Sequence, residues 1–399
     1  MTEIDTIDTE SAAPHHLSSR RWTAVAVVAV GTFTVVTSEM LPVGLLTPMS
    51  EALRVSGGLA GLALTITGLL AMTAPLLMAA LGRIDRRRSL PVLLLVVAAG
   101  NLLCAVAPNF AVLVAGRVLV GVGMGGVWAI SGSLGVRLVP PRSVGAATSV
   151  IFSGIAVASV LGVPAGTYLG ALAGWRSAFA AAAVLALLVA VTAAAILPAL
   201  PPERGVSLTE LPRLLADTRL RTGMIVVALL VAGHFAAYTY IRPVLEQRTH
   251  ADAATVSALL LGYGIAGVLG TFLFGRIASR APRRAVLIIC AGLAAAMAVL
   301  ACAGGSPVWA GALLLLVWGV AYGGVSVSTQ SWTLMAAPGA REAASAILVA
   351  VFNAAIAVGA LGGGRAVDGG GPAAALWLGT GLVIVAAAAA ALGKAPRGS

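Results

Sequence analysis

The feature that most restricts this chain is a repeated length. Apolar stretches of about 20 residues follow one another from residue 22 to residue 393, and at about 1.5 Å of rise per residue each can cross a hydrocarbon layer of about 30 Å. A backbone in lipid must satisfy its own N–H and C=O groups, so such stretches are helices. Hydropathy predicts twelve of them, at approximately 22–46, 57–80, 90–107, 111–135, 145–171, 175–197, 221–245, 254–278, 284–303, 307–335, 342–367 and 372–393. The expected fold class is an all-α polytopic membrane protein with twelve transmembrane helices in two six-helix bundles. Only 10% of the 399 residues are charged, against about a quarter in a soluble domain.

The longest polar interruption, 198–220, splits the segments six and six. The organisation expected is a tail over 1–21, a bundle over 22–197, a central loop over 198–220, a second bundle over 221–393 and a tail over 394–399. The apolar segment after residue 21 is too long for a signal-peptide core and reads as a retained first helix. A net charge of +11 could suggest a nucleic-acid partner, but the basic residues are spread over short loops on alternate sides of the apolar segments. Arg20, Arg21, Arg83, Arg86, Arg87, Arg88, Arg137 and Arg142 share one side with Arg204, Arg276, Arg341 and Lys394, while opposite loops such as "APNF" and "AGGSP" read as nearly uncharged. The positive-inside rule then places both termini and the central loop in the cytoplasm, in the cell's inner membrane. Cys104, Cys290 and Cys302 fall in apolar segments and read as reduced packing residues. His15 and His16 are too isolated for a metal site. No Walker motif is present, so no cofactor and no internal ATP drive are expected.

The two halves resemble each other. "GVGMGGVWAI" from Gly121 aligns with "GVAYGGVSVS" from Gly319, Pro140 with Pro338, Phe152 with Phe352 and Gly162 with Gly362. "GTF…P" at 31–42 recurs as "GHF…P" at 233–243. Parallel halves with a site between them near the midplane are a transporter architecture.

The motifs carry a family likeness. "RVLVGVGMGG" from Arg117, "GVPAGTYLG" at 162–170 with Val163 inserted between the usual Gly-Pro pair, "GWRSAF" at 174–179, "TSEMLPVGLL" at 37–46 and "FN" at 352–353 resemble the major facilitator superfamily. Within it they are similar to the twelve-helix drug:proton antiporters that export sugars, purine nucleosides and chloramphenicol. The loop "LGRIDRRRSLP" keeps Asp85 and Arg86 of the family's cytoplasmic pattern but lacks its second glycine, and "GRIASRAPRR" has Ser279 where an acid often stands. The resemblance implies a monomeric, proton-coupled exporter of a small organic molecule by alternating access, with no catalytic residues.

Specific residues follow. Glu39 is the only charge between Trp22 and Leu46. It lies about 25 Å up the first helix, and Arg117 lies about 9 Å below the opposite surface, at similar depth. A lone ion there costs at least about 2.5–3.5 kcal/mol, so each should face a partner or a wet cavity. Glu39 is the expected proton-coupling carboxylate, the alternative being an idle interfacial acid. Arg117 either poises it, contacts substrate, or is tied to backbone carbonyls. His234 shares a helix face with Tyr238 and reads as a second proton site, a substrate contact or a packing histidine. Asn101, Tyr238, Trp318, Tyr322 and Asn353 are candidates for the substrate cavity or for helix glue. Asp85, Arg86, Arg137 and Arg142 are candidates for a cytoplasmic gate or for topology alone. Gly154, Gly162, Pro164, Gly166 and Gly170 form a close-packing face. Gly121, Gly123 and Gly126 satisfy G-x-G-x-x-G without a preceding strand, so no dinucleotide site is expected.

Other readings remain open at this stage: a facilitator or proton symporter working inward, a non-transporting receptor or scaffold, and an intramembrane enzyme, for which no cluster of acids, histidines or metal ligands is visible.

Overall fold

Each apolar segment whose backbone is described forms helix, as an unpaired backbone in hydrocarbon would require. The computed structural model describes residues 15–73, 85–200, 214–302 and 307–394, and no strand occurs among them. The helices are α1 (His15–Leu53), α2 (Gly57–Ala71), α3 (Arg86–Ala105), α4 (Phe110–Leu138), α5 (Val144–Val157), a π-helical segment (Ala158–Gly162), α6 (Val163–Ala173) and α7 (Trp175–Ile196). The second series is α8 (Thr218–Tyr238), α9 (Ile241–Thr249), α10 (Ala253–Ala278), α11 (Pro282–Cys302), α12 (Val308–Gly323), α13 (Val325–Ala336), α14 (Arg341–Gly370) and α15 (Pro372–Leu392). Among the described residues, eleven apolar helices are long enough to cross a membrane, and α2 is shorter. The predicted end of the second segment, the tails 1–14 and 395–399, the loop residues 82–84 including Arg83, and most of the central loop with Arg204 lie outside the described residues.

Polar residues close the loops by capping. Ser56, Asp85, Asn109, Asp217 and Asp252 each accept a backbone N–H in the first turn of the helix they precede, which satisfies donors that a helix start leaves free. Outward faces are apolar: Phe272 is 72% exposed and Trp309 is 70% exposed, as suits lipid and not water.

The helices pack in two sets. In the first, α1 lies against α4, α5 and α7, and α3 against α4 and α7. In the second, α8 lies against α14 and α15, α10 against α12, and α11 against α15. The sets meet most extensively along two seams, α2 with α14 and the π-helical segment and α6 with α10, and α1 also touches α9. At these seams glycines bring backbones close: a Cβ on Gly264 would meet the Ser159 carbonyl at 2.6 Å, and one on Gly68 the Asn353 carbonyl at 3.1 Å.

Several expected helices differ in detail. The first continues past 46 to Leu53. The seventh breaks after Tyr238 and resumes at Ile241, just before Pro243, whose missing N–H cannot serve Thr239. The tenth breaks at Gly324. The fifth contains a π-helical turn; the Val163 inserted in the motif is the extra residue that such a turn absorbs. The end away from the chain termini is also more charged than expected. Arg54, Arg242, Arg248 and Arg365 lie there beside Glu51, Glu246, Asp252 and Asp368.

Candidate functional site

The site begins with a proline. Pro42 stands inside α1, and because proline has no N–H the carbonyl four residues earlier, Ser38, loses its helical donor. Arg117 of α4 supplies one. Its Nη1 donates to Ser38 O at 2.7 Å, its Nη2 to Glu39 O at 2.9 Å and its Nε to Ala63 O of α2 at 2.9 Å. The side chain is fully buried. Of the readings open for Arg117, the tie to backbone carbonyls is the one this geometry fits, and it joins α1, α2 and α4 at one depth. Asn101 of α3 adds to the joint: its Nδ2 donates to Ser38 Oγ at 2.9 Å and to Val97 O at 3.0 Å.

Glu39 is 3% exposed. Its Oε1 has no hydrogen-bond partner among the described residues, since the Arg117 donors are aimed at carbonyls. Glu39 remains within electrostatic reach of both Arg117 and Tyr322. It is a buried acid at the edge of the first helix set, facing the second.

The second set answers with aromatic rings. His234 of α8 stacks on Tyr322 of α12 with ring centroids 3.4 Å apart, and on Tyr238 at 4.9 Å. The Trp318 indole donates to His234 Nδ1 at 2.9 Å. An indole N–H can only donate, so Nδ1 is the acceptor and the ring proton sits on Nε2. A second proton on His234 would set N–H against N–H, so this arrangement fits the packing reading of His234. The breaks after Tyr238 and at Gly324 adjoin this cluster, which is how its rings from two helices converge.

Other candidates lie elsewhere. Asn353 donates within its own helix to Val349 O at 2.9 Å and sits at the α2–α14 seam. Asn101 is in the α1–α3 joint. Neither is brought to the aromatic cluster by a described contact. Asp85 caps α3, accepting from Arg87 N at 2.8 Å, and also accepts from Leu200 N at 2.9 Å, so it clamps the end of α7. Its slight burial raises its pKa, but those two backbone bonds and the Arg88 and Arg87 charges outweigh that and hold it below the usual carboxylate range. Arg86 is buried beside it, Arg137 is half-buried in the last turn of α4, and Arg142 is exposed.

Along the glycine face, a Cβ on Gly154 would meet Ala29 and Phe33, on Gly162 Thr37, on Gly166 Leu41 and on Gly170 Leu45. These are successive turns of α1, so the small residues let α5 and α6 lie directly on the helix that carries Glu39. Pro164 is buried in the first turn of α6, just after the π-helical turn.

Sequence reasoning missed three participants. Tyr263 of α10 stacks on Tyr238 at 4.7 Å, and Phe235 meets Tyr322 edge-on at 6.1 Å. Tyr263 is one of only five tyrosines in the chain, and its mid-helix depth was the available signal. Arg242 is the third.

Two helix sets joined by seams, with a buried acid in one set and a ring cluster in the other, define a polytopic membrane transporter. The chain belongs to the Major Facilitator Superfamily, whose sequence profile it matches over residues 28–250 and 223–398. The purine ribonucleoside efflux pump NepI of Salmonella paratyphi A (strain ATCC 9150 / SARB42) is 36% identical over 370 residues, covering 92% of each chain. The NepI pump of Salmonella enteritidis PT4 (strain P125109) is 36% identical over 351 residues, covering 87% of each. Among solved structures, the nucleoside transporter NupG superposes with a TM-score of 0.76 at 15% identity, covering 93% of this chain and 99% of that one. An inward-facing, unoccupied bacterial homolog of the human lysosomal transporter Spinster does so with a TM-score of 0.72 at 16% identity, covering 95% and 97%. These two likenesses speak for the fold.

Proposed function

We propose that this protein exports purine ribonucleosides across the inner membrane in exchange for protons, and that Glu39 carries the proton. The observation that carries the reading is the buried Glu39 oxygen left without a hydrogen bond, set opposite the aromatic cluster. The substrate class is supported by the relatives named as purine ribonucleoside efflux pumps. The chemistry agrees: base–aromatic stacking contributes about 1–3 kcal/mol per base, and Tyr322, the half-buried ring of the cluster, is the natural platform.

Coupling follows from what Glu39 lacks. An ionised carboxylate buried alone is costly, so it must gain either a proton or donors from a substrate. Ribose hydroxyls and purine N–H groups are such donors. Substrate and proton therefore compete for Glu39. A cycle that exposes the acid to alternate sides takes up a proton outside as a nucleoside leaves there, and releases it inside as the next nucleoside binds. The excess of basic residues at the end holding the termini supports a cytoplasmic placement of that end. Both halves lie on one chain, so a monomer suffices.

The test is a proteoliposome assay with labelled inosine, adenosine and guanosine, an imposed pH gradient and an internal pH reporter. Wild-type protein should move protons only when nucleoside is present. Glu39→Gln, which mimics the protonated acid, should reach the membrane folded but show no nucleoside-dependent proton movement and no export driven by the pH gradient. Proton movement at the wild-type rate in Glu39→Gln refutes the role of Glu39, and absence of nucleoside transport in wild-type protein refutes the substrate class.

A further inference from the structure

α1 contains a second proline, Pro48, and it repeats the effect of the first. Without an N–H at Pro48, the Gly44 carbonyl four residues back has no helical donor. At Ser38 the donor came from the same helix set. At Gly44 it comes from the other: Arg242 of α9 places Nη1 2.6 Å from Gly44 O. The Arg242 Nε is 2.7 Å from Glu246 Oε1 one turn on, and the other oxygen, Glu246 Oε2, accepts from Thr47 Oγ1 of α1 at 2.7 Å. The guanidinium and carboxylate thus grip α1 at two points, and Arg242 is buried. A further bridge stands at the same end, where Asp368 of α14 accepts from Ser56 Oγ at 2.9 Å and Gly58 N at 3.0 Å. Four side-chain hydrogen bonds link the two sets at this end, away from the chain termini.

We propose that Arg242 is a gating residue for transport: it closes this end by occupying the Gly44 carbonyl that Pro48 leaves free, with Glu246 and Thr47 fixing its direction. The design makes opening reversible. Arg242 and Glu246 lie on one helix at i and i+4, so when the sets part the ion pair leaves together and no charge is stranded. What is lost is one charge-assisted hydrogen bond and one hydroxyl bond, and water can replace both on the opened surface. A bond of this kind shifts an open–closed equilibrium about tenfold, or about 1.4 kcal/mol. Beside these bonds lies a small apolar contact of Leu46 and Ala60 with Tyr240 and Ala375, which excludes water from the Arg242 bond while the end is shut.

The experiment uses Leu46 as reporter, since it is fully buried in that contact. Leu46→Cys is introduced in a Cys302→Ser background, which removes the one exposed native thiol, and the purified full chain in lipid nanodiscs is treated with a charged maleimide. The reading expected is slow labelling in the parent and about tenfold faster labelling in Arg242→Gln. Pro48→Ala restores an N–H that competes for Gly44 O while keeping Arg242 and Glu246, so it should also label several-fold faster. Labelling at the parent rate in folded Pro48→Ala overturns the role of the freed carbonyl. Labelling at the parent rate in folded Arg242→Gln overturns the gate. If Arg242→Gln fails to fold, Pro48→Ala decides alone. No substrate is added, so the outcome does not depend on what the protein carries.

Discussion

If Arg117 serves chiefly to fill the Ser38 carbonyl, then Arg117 and Pro42 must be coupled energetically. Arg117→Met removes three buried hydrogen bonds, but it also removes a buried charge and its desolvation cost. The single substitution therefore mixes terms of opposite sign. A double-mutant cycle separates them. Ala63 O also accepts from Thr67 Oγ1 at 2.9 Å, and Glu39 O keeps a helical donor, the N–H of Val43. Only Ser38 O is orphaned, and a buried unsatisfied acceptor costs about 1–3 kcal/mol. With Arg117 present, Pro42→Ala adds a donor that merely competes for an occupied carbonyl. With Arg117→Met, the same change fills the vacancy. The benefit of Pro42→Ala should then be larger in the Arg117→Met background by about 1–2 kcal/mol. In a cooperative unit the size of one helix set, this is on the order of 2–8 °C in apparent Tm. The assay is built into the chain: Cys104 and Cys290 are buried, so a thiol-reactive dye reports unfolding once Cys302→Ser removes the exposed thiol. Additive effects, with no coupling between the two sites, would refute the argument.

Glu39→Asp should keep proton-coupled nucleoside movement in liposomes with a shifted pH optimum, because a shorter carboxylate still titrates; an inactive but folded Glu39→Asp would mean that reach, not charge, is what matters. Asp85→Ala should lose about 1 kcal/mol of thermal stability through the α3 cap, whereas Asp85→Asn keeps a capping oxygen, so slowed turnover in Asp85→Asn with unchanged substrate affinity would mark a gating role and normal turnover a structural one. A depressed carboxylate pKa contributes stability above the unfolded value and loses it only as pH falls through the folded one, so Asp85, held low by its cap bonds and neighbouring arginines, should add nothing to the transport pH profile near neutrality. Gly154→Ala should cost about 1–3 kcal/mol by overpacking, because its methyl would meet the α1 backbone, while Gly381→Ala, which meets nothing within 4 Å, should leave the Tm unchanged; equal effects would refute the close-packing account.

Much of the architecture was legible along the chain, because a bilayer demands a fixed length of apolar helix and the chain writes that length repeatedly. The glycines at 154, 162, 166 and 170 announced a close helix contact, since in lipid only small side chains let backbones meet. The similar depth of Glu39 and Arg117 followed from helix rise alone. Their relation did not. A proline announces which carbonyl it frees, here Ser38 and Gly44, but the donor that fills it comes from whichever helix packs alongside, and that is a property of three dimensions. So of the readings open for Arg117, it is the neighbouring helices that favour the one in which it holds backbone oxygens. Arg242, near an end whose loops were read as nearly uncharged, bonds from one helix set to the other. The inserted Val163 was visible as an irregularity in a motif, yet only the packed backbone turned it into a π-helical segment at a seam. Tyr263 joins the ring cluster for the same reason: periodicity assigns each side chain a depth and a face of its own helix, while the choice of neighbour is made when the helices assemble.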